Sequence, residues 1–177
     1  TKENAAVNRV LSQNSAIQNT PESLKESIAN FKRKIEEAES SLDSGNQRLR
    51  VVTDKKERAN IQKLIREIDS ERDTAKRFLN KYEYALLAFE GDEAQKLIIL
   101  SGGYEDVDKA KMREIVTRAV DANDTAKTLT PKDRKAVIDK LANGDMSYSW
   151  WNAINNTGLE KTVNRAIDGV FTDQATE

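Results

Sequence analysis

Leu24, Ile28, Phe31, Ile35, Ala38, Leu42, Gly45, Leu49 and Val52 fall at alternating steps of four and three. Ile61, Ile65, Ile68, Arg72, Ala75, Leu79, Tyr82, Leu86 and Phe89 repeat that spacing. Sixteen of the eighteen positions are apolar in a chain that is 37% hydrophobic, where chance gives roughly seven. This is the a/d seam of two long helices, and no other feature constrains the fold as much. Two such seams in succession read as an antiparallel helical hairpin.

The turn of the hairpin has two candidate places. Asp43-Ser44-Gly45-Asn46 has the stronger turn chemistry. Yet the seam phase runs unbroken from Leu24 past Gly45 to Leu49 and Val52, which a short loop would not preserve. Thr53 and Asp54 also suit a helix N-cap, with Glu57 three residues past Asp54 as a capping-box partner. The turn is therefore placed near Thr53. Gly45 becomes a close-approach position in the seam, and the helices run to about 32 and 37 residues, or roughly 50 Å at 1.5 Å per residue.

The flanking segments follow from local signals. Residues 2–18 read as a first helix with Val7, Val10, Leu11 and Ile17 on one face and Asn8 and Ser12 elsewhere. Thr20-Pro21-Glu22 caps the next helix. Phe78, Ala85 and Ala88, with Leu87 beside them, form a second apolar edge late in the returning helix, so the first helix is expected to pack there. After Gly91 the pattern changes to short helices. Asp92-Glu93-Ala94-Gln95 is a capping box opening a helix to Leu100, and Ser101-Gly102-Gly103 ends it. A helix over 105–122 carries Val107, Ala110, Ile115, Val116, Ala119 and Val120. Thr130-Pro131 opens another, with Val137, Ile138 and Leu141 inward and Gly144 as C-cap. A short aromatic helix over 148–154 and a last helix with Leu159, Val163, Ala166, Ile167, Val170 and Phe171 complete the chain, with fraying from Asp173. The expected class is all-α: a long antiparallel coiled-coil hairpin with an N-terminal helix at its base (residues 1–90) and a small C-terminal helical lobe (91–177).

Composition narrows the chemistry. There is no cysteine and no histidine. That removes disulfides, thiolate nucleophiles, the commonest general base and the commonest transition-metal ligand. No cofactor and no metal site are expected. Charged residues make up 33% and mean hydropathy is -0.74, which suits an elongated helical protein with much surface. No apolar run approaches the roughly 20 residues of a membrane span, and no signal-peptide pattern is present. The chain begins at Thr1 without Met, as a trimmed or processed product or an excised domain would. Compartment and oligomeric state are left open.

Several motifs are read as ordinary structure. Gly102-Gly103 lacks a preceding strand and the lysine and hydroxyl of a phosphate loop. Asp121 to Thr125 resembles a calcium loop but has Ala126 and Lys132 where glycine and glutamate are needed. Asn123-Asp124-Thr125 and Asn155-Asn156-Thr157 match glycosylation sequons, as chance provides in a chain rich in Asn and Thr. The helix pair around Gly144 suggests a helix-turn-helix, but residues 91–177 carry 12 basic and 15 acidic residues, and that surplus repels phosphate. Arg72, a charge in the seam, is expected to reach water or to pair with Glu36 or Glu37 across it.

Two places remain as candidate partner-binding sites. From Ser44 to Arg66, seven basic residues (Arg48, Arg50, Lys55, Lys56, Arg58, Lys63 and Arg66) face only Asp54 and Glu57. The tip is therefore cationic in a chain of net charge -1, fit for an acidic partner or simply a solvated end. Tyr148, Trp150 and Trp151 form the other cluster. Adjacent helical residues point about 100° apart, so one Trp is expected in the core and the other at its edge, with a partner anchor as the functional alternative. The expected role is a non-enzymatic structural or interaction protein with a protein partner, of the assembly, scaffold, virion-component or toxin receptor-binding-stalk type. The alternatives are nucleic-acid contact through the basic tip and, more remotely, a hydrolase with a carboxylate pair in the C-terminal lobe.

Overall fold

The computed structural model describes residues 1–142 and 148–176, excepting the side chains of Tyr148 and residues 174–176. Helix makes up 84% of the described residues, and no strand occurs among them, so the class is all-α. In order, the helices are α1 (Lys2–Val10), α2 (Pro21–Val51), α3 (Lys55–Glu90), α4 (Glu93–Ser101), α5 (Lys109–Ala122), α6 (Pro131–Ala142), α7 (Tyr148–Thr157) and α8 (Leu159–Thr176). Single 3-10 turns, Tyr104–Asp106 and Ala126–Thr128, precede and follow α5.

Helices α2 and α3 pack against each other as the hairpin. Side-chain caps explain where they begin. Thr20 Oγ1 accepts from the Ser23 amide and Ser23 Oγ from the Thr20 amide, both at 3.0 Å. Asp54 accepts from the Glu57 amide at 2.9 Å, which opens α3 and leaves a turn of only Val52, Thr53 and Asp54. The turn therefore lies where the unbroken seam phase puts it. Gly45 sits inside α2, where an added Cβ would lie 3.0 Å from Ile65 Cγ1. A glycine there lets the two helices close together, which overrides the turn chemistry around it. Leu42 and Ile65 border one groove, as a turn near Thr53 requires.

At the base, Ala6 and Val7 of α1 meet Leu24, Ala85, Ala88 and Ile99 in one buried cluster. The N-terminal helix thus packs on the end of the hairpin, but it is half the expected length. Ser12 takes a φ of +53°, and the chain loops back to Pro21. The cause is an asparagine network. Asn4 and Asn8 Nδ2 each donate to the Ile17 carbonyl at 2.9 Å. Asn4 Oδ1 accepts from the Asn19 amide at 2.7 Å, and Asn8 Oδ1 accepts from Asn19 Nδ2 at 2.8 Å. Asn8, expected to face away from the apolar stripe, is buried, and Ile17, expected on that stripe, is exposed. Satisfying buried amides this way offers the backbone an alternative to a longer helix.

Helix α4 joins the two cores. Ile99 belongs to the base cluster, while Ala94 and Ile98 belong to the larger cluster of the C-terminal lobe. Asp92 ties the lobe together at the same place. Its Oδ1 accepts from the Gln95 amide at 2.8 Å and its Oδ2 from the Leu159 amide at 2.7 Å, so one carboxylate caps both α4 and α8. Gln95 Nε2 in turn donates to the Ile154 carbonyl at 2.9 Å.

Other boundaries differ from the sequence reading. Helix α5 starts at Lys109, because Asp108 caps it by accepting from the Lys111 amide at 3.1 Å. Met112 is buried inward and Ala110 is exposed. Helix α7 runs on to Thr157, ending at Gly158 with φ +85°. Helix α8 continues to Thr176, past Asp173, which pairs with Lys140 at 3.3 Å. Phe171 is exposed. Gly144, read as the C-cap of α6, lies outside the described residues.

Candidate partner-binding surfaces

The turn of the hairpin divides its cations into two groups. Arg58, one turn into α3, reaches back to donate to the carbonyls of Leu49 and of Val52, the latter at 2.7 Å. It thereby satisfies carbonyls that the end of α2 leaves without helical partners. Arg48 pairs with Glu57 at 2.7 Å across the turn. That contact engages the Glu57 side chain, which does not complete the expected capping box; only the Asp54 half forms. These two arginines are therefore fastened into the turn. Arg50, Lys55 and Lys56 are exposed, and among the described residues no ion pair or hydrogen bond engages their side chains. Val51, beside them at the end of α2, is 77% exposed. An uncommitted cationic patch at the end of a long rod can meet an anionic surface without disturbing the fold.

The aromatic pair lies in the lobe, at the other end of the hairpin. Trp151 is buried in the lobe core against Tyr104, ring centroids 5.8 Å apart, with Lys109 Nζ 4.3 Å from its ring centroid. A partner has no access to that indole, so its role is packing and not contact. Trp150 is half-buried at the core's edge, with Lys140 Nζ 5.8 Å from its ring. The division into core and edge follows from their adjacency on α7. Tyr148 opens α7, and its side chain lies outside the described residues.

Arg72 does not cross the seam to Glu36 or Glu37. It pairs with Asp69 on its own helix, and its Nε lies 3.7 Å from Asp73. The i, i+3 spacing on one helix face puts Asp69 within reach of Arg72.

A groove of about 610 Å³ runs along one side of the hairpin. Phe31, Ala38, Ile68, Ala75 and Phe78 line its apolar part, and Lys34, Glu37 and Glu71 its rim. Phe78 stacks on Phe31 at 5.7 Å with the rings nearly parallel, yet remains 44% exposed. Phe78 is thus not part of the base edge with Ala85 and Ala88. The sequence carried a signal for this. Leu64, Glu71, Phe78 and Ala85 are spaced by seven, one row beside the seam of α3. The row is buried at Ala85, where α1 covers the base, and open at Phe78 and Leu64.

Two of the lobe's carboxylates are held in structural contacts. Asp92 is committed to its two caps. Asp139 is hydrogen-bonded by Arg113 and then Lys135, and these hold its carboxyl below the usual carboxylate range. A general acid needs the opposite shift. Among the described residues, no group of three or more Asp, Glu, His or Cys could hold a metal ion, and no helix is long and apolar enough to cross a membrane. Compared with protein-family models, with curated proteins and with solved structures, the chain matches none.

Proposed function

We propose that the chain is a non-enzymatic interaction protein whose hairpin presents its tip to a protein partner with an acidic surface. One observation carries this reading: the tip uses Arg48 and Arg58 to fasten its turn and leaves Arg50, Lys55 and Lys56 free of the fold. Cations needed only for solubility have no reason to gather at one end, while the rest of the chain has an acidic surplus. Charge separated in this way orients the molecule and speeds encounter with an acidic partner.

The test starts with capture of the partner from the native source and its identification by mass spectrometry. Binding kinetics then compare the chain with the triple variant Arg50→Glu, Lys55→Glu, Lys56→Glu. These side chains hold no ion pair or hydrogen bond in the fold, so helicity should be unchanged. Affinity should fall at least about tenfold, chiefly through a slower, less salt-sensitive on-rate. Unchanged kinetics would refute the tip reading.

The same three cations support a second reading, contact with nucleic acid. Neutralising three phosphates of duplex DNA gives a slope of log affinity on log salt of about -2.7. Fluorescence anisotropy with a short labelled duplex measures it. Absence of binding at low salt removes this reading and leaves the first untouched.

A further inference from the structure

The hairpin is not held together evenly along its length. Leu24, Ala85 and Ala88 are buried at the base, where Lys25 also pairs with Glu90. Further out, Phe31 packs on Phe78 and Tyr82, and Lys76 lies 3.9 Å from Glu39. From Asp43 to Thr74 the two helices have less to hold them. Among the described residues, Ile61 is the one buried apolar side chain in that span. Between the Glu39–Lys76 contact and the Arg48–Glu57 pair at the turn, no ion pair or side-chain hydrogen bond joins α2 to α3 among the described residues.

The two seam positions that are not apolar, Gly45 and Arg72, fall at the inner edge of this span. Glycine inside a helix weakens it. Arg72 brings a charge to the seam, and its Nε is closed off from solvent without a hydrogen-bond partner. A polar group buried in that state opposes the closed structure. Arg72 also borders a groove of about 500 Å³ that reaches the seam at Leu42 and Ile65, so packing is thin here. The lobe is the contrast. Met112, Val116, Leu141, Ile154, Val163 and Ile167 are buried completely. Segments with few buried apolar groups open at a lower free energy than the core that supports them. We propose that the outer part of the hairpin, residues 45–72, opens and recloses as a unit while the base and the lobe stay folded, and that Arg72 sets how readily it does so. An open outer part has no fixed tip, so a partner that binds the closed turn holds the segment shut. The opening itself needs no partner and stands apart from the tip contact.

Hydrogen exchange of the full chain, read amide by amide by NMR in a series of low urea concentrations, tests it. The amides of Gln47, Ile65 and Ile68 should be protected at least about a hundredfold less than those of Val116, Leu141 and Val163. Their opening should also depend on urea less steeply than global unfolding, because only part of the chain's surface is exposed. Arg72→Leu replaces the seam charge with an apolar side chain. It should raise protection of the three outer amides at least about tenfold and leave the lobe amides unchanged. Arg72→Lys keeps the charge and should change outer protection by less than about threefold. Outer amides protected as strongly as the lobe's, or opening with the full urea dependence of global unfolding, would overturn the proposal. An Arg72→Leu chain whose outer protection does not rise, or rises no more than that of Arg72→Lys, overturns it equally.

Discussion

Asn4→Ala should destabilise the protein by about 2–4 kcal/mol, although it removes no apolar contact from the core. The side chain donates to the Ile17 carbonyl at 2.9 Å and accepts from Asn19 twice, at 2.7 Å from the backbone amide and 3.0 Å from Nδ2. Two of those partners have a second bond to Asn8, so each loss costs about 1 kcal/mol or less. The Asn19 backbone amide has none, and leaving it unpaired adds about 1–3 kcal/mol. Asn8→Ala is expected to cost less, about 1–2 kcal/mol, because Asn4 still holds Ile17 and Asn19. The double variant should exceed the sum of the two by about 1 kcal/mol, since only then does the Ile17 carbonyl lose both donors. Asn14→Ala is the control. Its Oδ1 accepts from the Ala16 amide at 2.8 Å on an exposed loop, and its loss should stay within about 0.5 kcal/mol. Urea denaturation followed at 222 nm, with the slope unchanged, reports the differences. Hydrogen exchange at the Asn19 amide should accelerate in Asn4→Ala. If Asn4→Ala is no worse than Asn14→Ala, the network does not terminate α1, and the explanation offered for its length is wrong.

Trp151→Ala should cost about 3–5 kcal/mol, as removal of a buried aromatic does, and Trp150→Ala about half as much; thermal melts decide, and an equal or reversed order would contradict the core-and-edge assignment. Asp139 carries a pH signature. Its folded-state pKa is depressed by Arg113 and Lys135, so its stabilisation is present above the unfolded value of about 3.9 and is lost as pH falls through the folded one. Asp139→Asn should cost under about 1 kcal/mol at neutral pH and should flatten the decline of the urea midpoint on the acid side. Parallel acid limbs for the two proteins would show that the pair contributes nothing.

The hairpin was legible because its information is one-dimensional. A step of four and three needs only spacing, and its phase even located the turn against the stronger local signal at Gly45. The phase marked Gly45 as a close-approach position, but its neighbour, Ile65, is given only in three dimensions. The stop of α1 was not legible, because it depends on a loop bringing Asn19 back to Asn4 and Asn8, and nothing in their spacing announces it. For Arg72 the spacing offers water or a carboxylate across the seam, whereas carboxylates of its own helix, Asp69 and Asp73, engage it. At the tip the charge could be counted, but not its division. Only the turn geometry shows that Arg58 caps α2 and Arg48 holds Glu57 while Arg50, Lys55 and Lys56 face solvent. The row through Leu64 and Phe78 could have been read from its interval of seven. It was hidden because Phe78 and Ala85 share the row, and only the latter is covered by α1.

The account depends most on the chain turning back at Val52, Thr53 and Asp54, which makes these residues the end of a rod. Pulsed electron spin resonance between nitroxide labels at Glu39 and Lys76 measures this directly. Both side chains are exposed, and they approach to 3.9 Å across the hairpin. Helices in contact lie 8–10 Å apart, so with the label arms the distance should be narrow and about 20 Å. A helix running straight through the turn would separate the labels by roughly 55 Å at 1.5 Å per residue. A distribution centred near that longer distance would contradict the hairpin, and with it the tip and the groove.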